Sequence, residues 1–411
     1  LSVAGAFAFT PRIRLSGQAS WGKLSQNDPF LPYSTNPDYS DLPLPRTSLN
    51  GKLDTSTYNV TGKLMTRLNS RLSFTARGKF DERENNTPVE LYTPIKLDIF
   101  PGDARYNRPY SYKREQYSAD LRFRAHRSIR LSGGMAQNNI DRTLQAVETS
   151  EETSFWGEVM VNPTYRSQFR VKLDSADREV SDYLQPDDGG PVDHPLMRKF
   201  NQADRERDRL LVEFDLMPLD ALGINLSYFK AEADYTDSQI GLQDSVEDSY
   251  TINVNYAMGK KFNIYAFLTR EDIDATLLNA TSVSADPWKG MTSDEISTEG
   301  LGMSAHFTDT MSMGLDLISS EARGDISVQT GAEEEPFAPL RTKLRNAKLY
   351  FDHEVGENWG YKLYAEYENY KGQDWAIDGL GVDGIGSVLT MGEQSPDYDV
   401  WYFRVQASYR F

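Results

Sequence analysis

Three observations predict an all-β fold, a transmembrane antiparallel up-and-down β-barrel with about 16–17 strands in this chain. Apolar and polar residues alternate with a period of two in segment after segment, the mark of strands that show a different surface on each face. Short turns and long polar loops take turns in joining these segments, an asymmetry typical of barrels that cross a membrane. Mean hydropathy is −0.59 and no run approaches the roughly 18 apolar residues of a membrane helix, so any crossing is made by strands.

The chain opens inside a strand, with Leu1, Val3, Gly5, Phe7 and Phe9 alternating with Ser2, Ala4, Ala6 and Ala8. Thr10-Pro11-Arg12 makes a tight turn, Ile13 to Lys23 returns, and a loop rich in Pro, Asn and Asp runs to about Lys52. Tyr58, Val60, Gly62, Leu64 and Leu68 mark the next strand, and Asn69-Ser70 turns it into Leu72, Phe74, Ala76, Gly78 and Phe80. A second long loop covers about Glu84 to Ser111. Tyr117, Ala119, Leu121 and Phe123 then lead through His126-Arg127-Ser128 into Ile129 to Asp141. Phe155 to Val161 turns at Pro163 to Ser167 into Phe169, Val171 and Leu173, and Leu210 to Leu216 turns at Pro218-Leu219-Asp220 into Leu222 to Tyr228. Tyr250 to Met258 meets Gly259-Lys260-Lys261 and comes back as Phe262 to Leu268. Leu301 to Phe307 and Met311 to Leu317 flank Thr308-Asp309-Thr310, while Ala347 to Val355 and Trp359 to Tyr367 flank Gly356-Glu357-Asn358. Asp397 to Phe411 is the last strand, giving eight short turns and eight longer loops in all.

That last strand shows the two faces plainly. Trp401, Phe403, Val405, Ala407, Tyr409 and Phe411 make an uncharged, aromatic-rich face suited to lipid, and Arg404 and Arg410 lie on the other. The same inward parity holds Arg122, Arg124, Arg170, Lys172, Asp174, Glu213, Asp215, Lys348 and Glu366, joined by Asp316, Asp352, Lys362 and Glu368. Both signs occur, whereas a selectivity filter calls for one sign at a constriction. The expectation is therefore a polar wall against water or against another protein.

Short turns belong in the periplasm and long loops outside. Phe411 then ends on the periplasmic side, and the aromatic terminus Tyr409-Arg410-Phe411 resembles the signature of proteins folded by the barrel-assembly machinery. Leu1 falls toward the outer side, so the strand count is odd, which points to one barrel domain over residues 1–411 that lacks its first strands.

Composition excludes several classes of function. The absence of cysteine removes disulfides, thiolate metal sites, cysteine nucleophiles and covalent c-type haem on this chain. A net charge of −17 argues against nucleic acid. His126, His194, His306 and His353 are too scattered for a metal site, and no Ser/His/acid set, Walker loop or paired-histidine helix supports an enzyme. Acidic glycine-rich loops at Gln185 to Gly190, Glu333 to Glu335 and Asp378 to Gly386 lack the spacing of an EF-hand and read as solvated segments. A general diffusion porin with a water-filled lumen remains the alternative reading of the polar wall.

Several stretches resemble the MtrB/PioB family of decahaem-associated outer-membrane β-barrels. They are Thr10-Pro11-Arg12 with Leu15-Ser16-Gly17, Phe30-Leu31-Pro32-Tyr33-Ser34-Thr35-Asn36, Asn85-Asn86-Thr87-Pro88 and Tyr106-Asn107-Arg108-Pro109-Tyr110-Ser111-Tyr112. The resemblance covers essentially the whole chain and aligns it with the C-terminal part of the family. It implies residence in the bacterial outer membrane and membership of a larger barrel of about 26 strands. It further implies a sheath around a periplasmic multihaem cytochrome, MtrA- or PioA-like, which carries the haem c, and in some members an extracellular multihaem cytochrome on the outer loops. Arg122, Arg124, Arg170, Lys172, Asp174, Glu213, Asp215, Lys348, Glu366, Arg404 and Arg410 then become the candidate cytochrome contacts.

Overall fold

The computed structural model describes residues 1–26, 53–93, 95–96, 100–185, 187, 189, 194–259, 261–280, 285–376, 378–379 and 395–410. Seventeen long strands run antiparallel, each paired to the next in the chain. They are β1 (Ser2–Thr10), β2 (Ile13–Gln26), β3 (Leu53–Arg67), β4 (Leu72–Asn85), β5 (Tyr112–His126) and β6 (Ile129–Arg142). Next come β7 (Thr149–Thr164), β8 (Ser167–Val180), β9 (Arg205–Leu219), β10 (Leu222–Asp234), β11 (Ile240–Met258) and β12 (Phe262–Asn279). The series ends with β13 (Trp288–Thr308), β14 (Met311–Thr330), β15 (Leu340–Val355), β16 (Trp359–Gln373) and β17 (Asp397–Tyr409). Phe411, Lys260, the Phe30–Asn36 motif and most of the Asp378–Gly386 loop lie outside the described residues.

The order is that of an up-and-down sheet, and among the described residues β1 pairs with β2 alone and β17 with β16 alone. The sheet is therefore open, with a free edge on each side.

Register aligns the apolar parities across the sheet. Trp401, Tyr367, Ala347, Leu317, Leu301, Ala266, Val254, Ile224 and Leu216 form one continuous row over nine strands. Such a face is stable only against lipid or another apolar surface, and the unbroken antiparallel ladder pairs the backbone groups that a bilayer leaves without water.

Local chemistry makes the short turns tight. Thr10 Oγ1 accepts hydrogen bonds from the backbone N–H groups of Arg12 and Ile13, at 3.2 and 3.1 Å, and Asn69 Oδ1 does the same for Arg71 and Leu72, both at 2.8 Å. Gly259 and Gly356 sit at φ 67° and 63°, left-handed positions that side chains rarely adopt.

Two features differ from the sequence reading. The uncharged stripe does not run the whole length of the long strands, because β11 to β14 contain 19, 18, 21 and 20 residues while about 9–11 suffice to cross a bilayer. Beyond Tyr250, Leu268 and Leu301 the same outward face passes into Asp248, Arg270 and Glu299. The strands thus continue out of the membrane at their long-loop ends, where water lets the face carry charge.

The loops are also less plain than read. Leu91–Tyr92 pairs with Arg105–Tyr106 and Ile95–Lys96 with Phe100–Pro101, so the loop before β5 holds two short ribbons, and Glu333–Pro336 pairs back onto β14. The Asn85–Pro88 and Tyr106–Tyr112 motifs, distant in sequence, are clasped together. Asn107 receives the Glu90 N–H at 2.6 Å and donates to the Pro88 carbonyl at 3.0 Å, while Ser111 Oγ accepts the Asn85 N–H at 2.9 Å.

Candidate functional site on the polar face of the sheet

The face opposite the apolar rows is the one a barrel turns to its lumen. It is organised as hydrogen-bonded belts that run across the strands, because directly opposed residues on one face approach closely. One belt joins Gln168, Asp215, Asn225 and Asn253: Gln168 and Asn225 donate to Asp215 at 3.4 and 2.8 Å, and Asn253 donates to Asn225 at 3.1 Å. Another row holds Thr251 and Thr269, 3.2 Å apart, and continues in register to Thr298 and Ser320, 2.9 Å apart.

Most charges read from the sequence have partners here. Arg170 lies between two carboxylates, 3.4 Å from Glu158 and 3.0 Å from Glu213. Asp174 pairs closely with Arg209 and lies 3.9 Å from Arg207, and Lys172 stands over the Trp156 ring at 5.4 Å. Arg122 is 3.8 Å from Asp120, which Arg77 approaches to 2.8 Å, while Arg124 is exposed on the same face. Near the β17 edge Lys348 is 3.4 Å from Glu366, which also accepts from Asn346 and from Tyr364 Oη, both at 2.6 Å. Arg404 covers the Tyr364 ring at 5.4 Å and Arg410 pairs with Glu354 at 2.9 Å. Asp316 accepts from Tyr265 at 2.7 Å, Lys362 pairs with Asp352 at 2.9 Å, and Glu368 accepts from Tyr398 at 2.8 Å. The opposite parity of β17 is open, with Trp401, Phe403, Val405 and Tyr409 at 63, 68, 77 and 48% exposure.

Sequence reasoning missed two further groups on this face. The first is basic: Arg178, Arg205, Arg207 and Arg209 cluster toward the long-loop end around Glu152 and Asp174. Arg205 is 2.6 Å and Arg207 3.7 Å from Glu152, while Arg178 donates to the carbonyls of Ala203 and Phe200 and so ties down the turn before β9. The second is aromatic. Tyr265, Phe267, Tyr350 and Trp156 stand opposite Gly302, Gly300, Gly314 and Gly134, and their rings occupy the space that a Cβ there would need. Each glycine lets an aromatic ring lie along the wall, so the surface is flatter than its composition suggests. Strand register was the signal needed to find both groups.

The geometry describes an outer-membrane wall, and comparison with known proteins agrees. A family described as "Putative outer membrane beta-barrel porin, MtrB/PioB" matches residues 1–411. The chain belongs to the MtrB/PioB family. The outer membrane protein MtrB of Shewanella baltica is 26% identical over 398 residues, a match that takes in 96% of this chain and 56% of that protein. The chain thus spans a little over half the length of this MtrB/PioB relative. Solved structures share the fold at low identity. The ferric enterobactin receptor PfeA of Pseudomonas aeruginosa matches with TM-score 0.50 and 9% identity, over 100% of this chain and 69% of the receptor. The alcaligin outer membrane receptor FauA of Bordetella pertussis matches with TM-score 0.51 and 11% identity, over 100% and 64%. This MtrB/PioB member is accordingly an outer-membrane β-barrel protein.

Proposed function

We propose that this chain forms part of a porin-like sheath that holds and insulates a multihaem c-type cytochrome, making a conduit for electrons across the outer membrane. The reading rests on family membership joined to one observation, a polar face of mixed charge, many of whose groups pair within the wall, and whose rings lie over glycine. Such a surface suits packing against a protein, since a filter for ions needs unpaired charge of one sign. Lipid alone gives electrons no path over its thickness, so a wide barrel serves by holding haems in line and by keeping bilayer and bulk water from their edges. The haem c belongs to the partner, a periplasmic cytochrome inside the barrel, and an extracellular multihaem cytochrome is the partner proposed for the outer loops. In this proposal further strands continue the two free edges and close a barrel of about 26 strands.

The test uses full-length protein assembled with its cytochrome in liposomes that enclose a redox dye. External reductant should bleach the dye only when barrel and cytochrome are both present. Equal bleaching by cytochrome alone, or bleaching by barrel alone through leakage of reductant, contradicts the proposal and in the second case returns the general diffusion porin.

A further inference from the structure

The outward face of β14 to β16 carries five clustered cations, three of them without a carboxylate in ion-pair distance among the described residues. Leu317, Ala347, Tyr367 and Trp401 share one row at the upper limit of the apolar face. From that row toward the long loops, β15 presents Arg345, Lys343 and Arg341 at successive outward positions, with Lys371 opposite Lys343 on β16 and Arg323 opposite Arg341 on β14. Successive outward residues on a strand are about 6.6 Å apart and strands about 4.8 Å apart, so all five cations fall in a patch roughly 15 Å across.

The carboxylates around the patch are already engaged. Glu321 pairs with Lys343 and Asp325 with Arg323, each at 2.8 Å. Asp399 accepts from Tyr367 Oη at 2.8 Å and from Asn369 at 2.6 Å, and Asp397, directly opposite Lys371 in register, accepts the Gly372 N–H at 3.0 Å. Arg341, Arg345 and Lys371 are exposed and have no carboxylate within ion-pair distance among the described residues.

Their level in the membrane suggests what they meet. Long loops lie on the outer side of such barrels, so the patch stands where the acyl region of the outer leaflet gives way to headgroups, with Tyr367 and Trp401 as interfacial aromatics just below. Guanidinium groups bind phosphate oxygens in a bidentate fork, and basic clusters beside a membrane select phosphorylated headgroups. We propose that Arg341, Arg345 and Lys371 bind the phosphates of a phosphorylated outer-leaflet glycolipid of the lipid A type, whose acyl chains run down the Trp401 and Phe403 face. The site requires only a barrel in the outer membrane and is independent of any cytochrome.

The experiment is native mass spectrometry of the full-length protein in detergent, titrated with bis-phosphorylated lipid A, with dephosphorylated lipid A, and with inorganic phosphate as competitor. Wild type should retain the phosphorylated lipid and discriminate against the dephosphorylated one. The triple variant R341Q/R345Q/K371Q should bind about tenfold more weakly or worse. K113Q, which removes an outward cation already paired to Glu115 at 2.8 Å, should bind as wild type does. Heat-modifiable gel mobility confirms that each variant has formed its barrel. Equal retention of both lipids by wild type, a test that needs no variant, overturns the proposal, as does unchanged binding by the triple variant. Displacement of the lipid by millimolar inorganic phosphate also overturns the lipid assignment, because it makes the patch a site for free anions.

Discussion

Arg170 lies between Glu158 and Glu213 with all three side chains less than a third exposed. Arg170→Ala leaves Glu158 and Glu213 without the cation between them, and about 1–2 kcal/mol of stability should be lost, read as a lower urea midpoint in lipid vesicles. Arg410→Gln removes a pair exposed at 73 and 53% and should shift the same midpoint by less than about 0.5 kcal/mol. Equal losses would mean that burial in the wall does not set the worth of its pairs. Asp378 gives a prediction in pH. Backbone N–H groups of Ser395 and Asp374 donate to its carboxylate and hold its pKa below the usual aspartate value, so the carboxylate ties the two ends of the last long loop together. A lowered folded pKa means that this tie is fully present above the unfolded value and is lost as pH falls through the folded one. Proteolysis of the loop should therefore rise in that acid window, and Asp378→Asn should cleave readily at every pH. Residue parity was legible in the sequence because alternation alone fixes it. The partners were not, since Arg209 with Asp174 or Tyr265 with Asp316 depends on which strand lies alongside and in what register.

At the scale of elements, seventeen strands and eight tight turns were legible because turn residues such as Thr10, Asn69, Gly259 and Gly356 punctuate clean two-residue alternation. The upper halves of β11 to β14 were harder to see. There the apolar residues change face, with Ile273, Ala275 and Leu277 of β12 and Ala322, Ile326 and Val328 of β14 at the inward parity. The outward stripe that marks the lower halves therefore does not continue, and pairing is held by the ladder and by cross-strand ion pairs such as Lys343 with Glu321. The pairing of aromatic with glycine was invisible for a related reason, since Gly302 and Tyr265 are far apart in sequence and opposed only in register. A Cβ at Gly302 would overlap the Tyr265 ring and crowd Asp316. Gly302→Val should displace the tyrosine and cost about 1–3 kcal/mol. The check is the urea midpoint, and a neutral result would show that the ring has room to move aside.

At the scale of the whole molecule the sheet is open among the described residues, leaving β1 and β17 as its two edges. The β1 edge shows Val3, Phe7 and Phe9 on one face and small residues on the other, and β17 shows Trp401, Phe403 and Val405 to the outside. If the proposed further strands continue both edges, backbone amides of β17 that point away from β16 should exchange slowly in the intact outer-membrane protein. Exchange at the rate of a free edge would rule out that closure. The strand lengths carry a second message at this scale, since β13 and β14 run on for roughly ten residues beyond what the bilayer needs, about 30 Å of wall standing in water. A wall of that height is more than a water channel requires and suits a long protein occupant. The most direct test is to purify the full-length barrel from its native outer membrane in mild detergent and record haem absorbance and ion conductance on the same sample. The sheath account predicts a c-type haem spectrum at a fixed ratio to barrel and a pore closed to ions. A colourless barrel that conducts freely would contradict it.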